Sequence, residues 1–211
     1  MKNLWNSGFM QKLGMVTNLV VLNILWLLCC IPVVTAGAAT TALYYTVFQY
    51  LTNQDDAIFR PFFRAVRQNF KQATLLWLPM LAFLALLVFD GMYIIANGGG
   101  ILLTVVIVTA VILMLLLTHI FPMVARFQMT AAALLRTAFS LIMLHLPSTL
   151  LMFVLNIAPV MLMLFAPAGF FKWLPLWAGL WFALAALLNG KMLLKIWSKH
   201  LPKQSSDEES T

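Results

Sequence analysis

The stretch CCIPVVTAGAATTALYY, residues 29–45, interrupts a hydrophobic run without cleanly ending it. Apolar residues extend from Leu13 to about Val34, Pro32 breaks them, small residues and threonines follow, and aromatic character resumes at Tyr44. Such a stretch fits a signal-peptide cleavage region, a turn between two membrane helices, or a broken helix that binds something. The choice decides how the chain meets a bilayer, and it depends on the residues to either side.

Of the 211 residues, 63% are hydrophobic and 9% charged. Soluble domains are roughly half apolar and a quarter charged, so the surplus here has to face lipid. Several runs approach the ~20 residues that cross a bilayer as a helix. The alternating pattern of a transmembrane barrel is absent. The composition therefore predicts an all-α, polytopic transmembrane helical bundle.

The net charge of +7 does not point to nucleic acid, because the basic residues sit in short segments between hydrophobic runs. Positive-inside orientation accounts for them there. Cys29 and Cys30 are adjacent; a disulfide between neighbours is strained, and no spaced Cys/His cluster suggests zinc. Both read as small buried apolar residues, and neither a metal nor a cofactor is expected.

Working outward, Lys2 and Lys12 before the first run and Ala36-Gly37-Ala38 after it imitate a secretory signal. The run exceeds a usual h-region, so retention of the N-terminus is expected. Further spans read at about 74–95, 101–123, 140–165 and 173–190. Asn97-Gly98-Gly99-Gly100 predicts a tight turn, since glycine accepts positive φ, and Ala166-Pro167-Ala168-Gly169 joins the last two spans. Arg60, Arg64, Arg67, Lys71, Arg126, Arg136, Lys191, Lys195, Lys199 and Lys203 fall on one side, with Lys172 alone opposite. That side is expected to be the cytoplasm, with both termini there and the chain in the plasma membrane.

Parity then constrains the opening stretch. With the N-terminus and residues 52–72 both cytoplasmic, a first span at 13–34 needs a return within about 36–51. Sixteen residues rise about 24 Å as a helix, less than the ~30 Å hydrocarbon core. About six crossings are expected, the second short or partly re-entrant. Five crossings with an external N-terminus is the rival, and it leaves Lys2 and Lys12 unexplained. The tail, 199–211, reads as polar and disordered.

Four groups of residues are candidates for function. Pro32, Thr35, Gly37, Thr40, Thr41 and Tyr44 form the broken segment, which is either a packed turn or a ligand-facing break. Residues 56–71 pattern as an amphipathic helix: Phe59, Phe62, Phe63, Val66 and Phe70 recur at helical spacing beside the basic stripe Arg60, Arg64, Arg67 and Lys71. Phenylalanines in the acyl boundary and cations among headgroups describe a cytoplasmic interfacial helix, a lipid-facing role; docking of a partner is the alternative. Asp90 is an ionisable residue in a span, close enough to its outer end to reach the interface or to serve as a polar site. His119 and His145 read as structural histidines. Trp173, Trp177 and Trp181 share a helix face, for packing or for stacking on a sugar or lipid. HExxH, GxSxG and Walker A sequences are absent from the chain, so no enzyme is expected.

An Asn-containing first span running into Cys30-Ile31-Pro32-Val33-Val34-Thr35-Ala36-Gly37-Ala38-Ala39-Thr40-Thr41-Ala42-Leu43-Tyr44 resembles the hallmark of the YesL family, as does FFRAVRQNFKQATLLW at 62–77. The likeness extends over essentially the whole chain. It implies a small bacterial integral membrane protein associated with carbohydrate ABC importers and polysaccharide degradation, and it brings no catalytic residues. The expected function is a non-enzymatic accessory or assembly partner of a carbohydrate ABC importer, in contact with membrane lipids. A small transporter or channel using the break at 32–41 is the alternative, and an intramembrane enzyme using Asp90 or His119 is a third reading.

Overall fold

A computed structural model describes the backbone of residues 4–53 and 58–200 and the side chains of 13–52 and 58–199. The tail expected to be disordered lies outside the described residues from position 201 onward. The first helix, α1 (Leu4–Cys30), ends where Ile31-Pro32 removes a backbone donor. A 3-10 turn at Val33–Thr35 reverses the chain into α2 (Ala36–Asn53). Then come α3 (Phe59–Ala96), α4 (Ile101–Arg126), α5 (Ala131–Leu144) and α6 (Leu146–Phe165). Two short pieces, α7 (Pro167–Lys172) and α8 (Leu174–Leu176), lead through a π-helical turn at Trp177–Trp181 into α9 (Phe182–His200). No strand occurs among the described residues.

Among the described residues, five helices are long and apolar enough to cross a membrane: Leu13–Cys30, Phe59–Ala96, Ile101–Arg126, Leu146–Phe165 and Leu174–Lys199. α2 is not one of them. Its threonines, tyrosines and glutamine make it too polar for a lipid-facing span, and it lies instead at the centre, with Ala38, Ala39, Thr41 and Ala42 fully buried. A helix surrounded by helices needs small residues more than apolar ones, because close approach replaces the hydrophobic drive that lipid does not provide.

Three sequence expectations change. The interfacial helix at 56–71 and the span at 74–95 are one helix, α3, 38 residues long. No glycine or proline lies between 62 and 78, so nothing ends the helix where the charge pattern stops. The span expected at 140–165 is divided at His145, whose φ of −130° and ψ of 41° are not helical. Pro147 opens α6 where no intrahelical donor is needed. The join at 166–169 is not a plain loop either, since Pro167 starts α7. The triple-glycine turn forms as predicted, with φ of 98°, 72° and 91° at Gly98, Gly99 and Gly100.

The helices do not end at common levels. α1 and α2 form an antiparallel hairpin, tied near its turn by Trp26 Nε1 donating to Thr40 Oγ1 at 3.2 Å. That turn abuts the middle of α3, because Trp77 Nε1 donates to the Val33 carbonyl at 2.7 Å. Beyond Trp77, residues 78–96 continue as helix, about 28 Å further at 1.5 Å per residue. α4 returns alongside: a Cβ on Gly91 would lie 3.7 Å from Val106, and the rings of Trp77 and Phe121 are 6.0 Å apart. The far half of the α3–α4 hairpin therefore outreaches the α1–α2 turn, and its side chains, among them Phe83, Phe89, Ile101 and Val105, are apolar and exposed.

Candidate functional site

The broken segment is closed by its own hydrogen bonds. Thr35 Oγ1 donates to the carbonyls of Cys29 and Pro32, and the Thr35 amide also donates to Pro32. Thr40 and Thr41 donate to Ala36 and Gly37, each one helical turn back. The bonds from Thr35 and Trp77 answer carbonyls left over where α1 ends and the turn begins, whereas Thr40 and Thr41 add a second bond to carbonyls already inside α2. The turn itself presents Ile31, Val33 and Val34, all exposed. Gly37 is the point of closest approach to α3: a Cβ there would sit 2.6 Å from the Trp77 Cβ and 3.0 Å from the Ala73 carbonyl.

Tyr44, the last residue of the segment, belongs to a buried polar group of three. Asn189, wholly buried, donates from Nδ2 to the Tyr44 hydroxyl at 3.2 Å and to Asn156 Oδ1 at 3.1 Å. The trio joins α2, α6 and α9. A second buried amide, Asn23 of α1, donates to the carbonyl of Ala178 at 2.6 Å and accepts from the Ala183 amide at 2.9 Å. Those two backbone groups are five residues apart, the spacing of the widened π turn, so Asn23 satisfies what the widening leaves unpaired. The sequence marked the first span as Asn-containing but singled out neither Asn23 nor Asn189. An amide in an otherwise apolar run was the available mark, since such a residue in a bundle seeks an interhelical partner.

His119 is wholly buried, and its Nε2 lies 3.0 Å from Thr149 Oγ1. Thr149 donates onward to the His145 carbonyl at 3.1 Å. The imidazole thereby links α4 to the start of α6. Asp90 lies on the exposed side of α3, away from both histidines along the chain. Trp181 Nε1 donates to the Leu155 carbonyl at 3.1 Å, and its ring meets that of Trp177 edge-on at 4.7 Å. No group of three or more metal-ligating side chains occurs among the described residues.

A cavity of about 300 Å³ opens between α1, α2, α4, α6 and α9. Trp26, Thr40, Leu43 and Tyr44 come from the α1–α2 hairpin, and Asn156 brings one member of the polar trio to its wall. The basic stripe lies elsewhere. Arg60, Arg64, Arg67 and Lys71 are all exposed on the first third of α3 and occupy an arc of about 60° around that helix. Phe59, Phe63 and Phe70 are exposed beside them, within about 40°. Phe62, Ala65 and Ala73 take the buried face.

The helices define an α-helical, multi-pass membrane protein. Residues 19–91, from α1 through most of α3, match a family described as "Protein of unknown function, DUF624". The matched stretch contains Asn23, the broken segment, Gly37 and the basic stripe. No curated protein and no solved structure matches the chain.

Proposed function

We propose that this chain is a non-enzymatic accessory protein that docks a partner at its cytoplasmic side through the first third of α3. The observation that carries this reading is the continuity of α3 through Lys71 and into the apolar span. No proline or glycine interrupts the helix between Phe62 and Leu78, so residues 62–71 continue the axis of residues 72–78 and do not lie flat in the membrane plane beside it. Residues 59–71 instead project about 20 Å past the last basic residue, which leaves Phe59, Phe63 and Phe70 at 58%, 51% and 38% exposure outside the acyl region. A phenylalanine stripe flanked by cations suits a groove on a partner with an acidic rim. The resemblance to the YesL family implies an association with carbohydrate ABC importers, which supports a subunit of such an importer as the partner and the plasma membrane as the location.

The test is co-purification from native membranes with an importer subunit as the readout. Phe63→Ser with Arg64→Glu and Arg67→Glu should lower recovery of that subunit about 30-fold, the effect of losing ~2 kcal/mol of anchor contacts, with membrane insertion unchanged. Equal recovery with the triple variant, or no importer subunit with the unaltered protein, refutes the reading.

A further inference from the structure

We propose that the cavity over the α1–α2 hairpin binds an uncharged amphiphile taken from the bilayer, an aliphatic chain bearing a terminal hydroxyl or carbonyl. The space opens beside the hairpin. Its turn is level with Trp77, whereas α3 and α4 carry exposed apolar side chains for about 28 Å beyond. That stretch, charged only at Asp90, belongs in hydrocarbon. The cavity lies along the flank of the α1–α2 hairpin, where Trp26, Thr40, Leu43 and Tyr44 form one wall facing α4, α6 and α9.

The chemistry of the walls selects the occupant. Phe121, Phe153, Phe182, Leu117 and Ile157 line it, and among the described residues no Asp, Glu, Lys, Arg or His does. A charged headgroup would lose its water without gaining a counter-ion. A free sugar has more hydroxyls than one polar trio can satisfy. Polarity is concentrated where Asn189 stands behind Tyr44 and Asn156. Asn189 gives both its N–H groups to them, and Asn156 is itself hydrogen-bonded to the Tyr44 hydroxyl. The pair at the wall therefore keeps donor capacity, beyond the bonds within the trio, for an oxygen to accept. Asn189 Oδ1, wholly buried, has no partner, which marks the trio as incompletely satisfied. Val160 lines the cavity and is 51% exposed, so entry is lateral, from lipid. The volume equals about ten waters, room for a chain end and its polar group.

The full-length protein in lipid nanodiscs would be photolabelled with a diazirine-bearing decanol and, separately, with its quaternary-ammonium analogue, and the adducts mapped by mass spectrometry. The alcohol should label Leu117, Phe153 and Ile157 about tenfold more than the cation does, the ratio that ~1.4 kcal/mol gives. Excess unlabelled decanol should suppress those adducts and leave those on Phe83 and Val105 unchanged. Val160→Trp at the half-exposed mouth should close entry, and Tyr44→Phe with Asn156→Leu should lower labelling about tenfold through two lost hydrogen bonds. Adducts spread evenly over Phe83, Val105 and the cavity residues, or cavity labelling indifferent to charge, competitor and Val160→Trp, would mean bulk lipid contact only and overturn the proposal. Neither result bears on the docking surface of α3, which lies outside this cavity.

Discussion

Asn23→Leu should destabilise the protein by about 3 kcal/mol, in a reversible detergent-unfolding titration followed by tryptophan fluorescence. The side chain is isosteric enough to fit, so the loss comes from hydrogen bonding. The Ala183 amide would be left in a buried setting and the Ala178 carbonyl in a part-buried one, and each such orphan costs about 1–3 kcal/mol. Measured interhelical hydrogen bonds in membranes average nearer 0.6 kcal/mol, because the unfolded chain finds other partners. The larger figure applies here because one amide serves two backbone groups that the π turn cannot serve itself. A loss under about 0.5 kcal/mol would show that residues 177–183 relax to a regular α-helix and never needed Asn23.

A graded series at three glycines has the next largest expected effect. Gly37→Val should prevent α2 from seating on α3, since even a Cβ would sit 2.6 Å from the Trp77 Cβ and 3.0 Å from a backbone oxygen. Neither neighbour is a flexible side-chain end, so the helices must separate. Overpacking of this kind costs about 1–3 kcal/mol for a methyl group, and valine should exceed it. Gly190→Ala should cost less, because its nearest neighbour at 3.0 Å is the Val47 Cγ1. Gly14→Ala meets nothing within 4 Å and should be neutral or stabilising by up to about 1 kcal/mol. Thermal stability in detergent should fall in the order Gly14→Ala, Gly190→Ala, Gly37→Val. A Gly37→Val protein as stable as the parent would disprove the close contact between α2 and α3.

The class of the fold was legible because composition and run length are sums over many residues, which no single side chain can upset. Element boundaries were not. The end of an interfacial helix was placed at Lys71 on a change of charge pattern, whereas a helix ends only where its backbone bonding ends, and Gln72-Ala73-Thr74 supports further turns. His145 broke a span that hydropathy read as continuous, since hydropathy cannot register a single non-helical φ/ψ pair. In the candidate site, Pro32, Gly37 and the threonines could be singled out because each departs from its apolar surroundings. Their partners could not. Nothing near Gly37 in sequence foretells Trp77, and Tyr44 meets Asn189 across 145 positions. Asn23, Asn156 and Asn189 were each visible as amides in apolar runs, but the assignment of one to a π turn and two to a cavity wall depends on helix contacts alone.

Because α1 and α2 accompany α3 only as far as Trp77, the cross-section of the molecule changes with depth. At the basic end it includes the hairpin; at the glycine-turn end α3 and α4 stand with less protein around them. A body that tapers through a bilayer displaces more lipid area from one leaflet than from the other. Lipids in the two leaflets then relax by bending toward the shape of the inclusion, and molecules of the same taper share that bend when they lie side by side. A hairpin that ends early thus gives the two ends of α3 different surroundings.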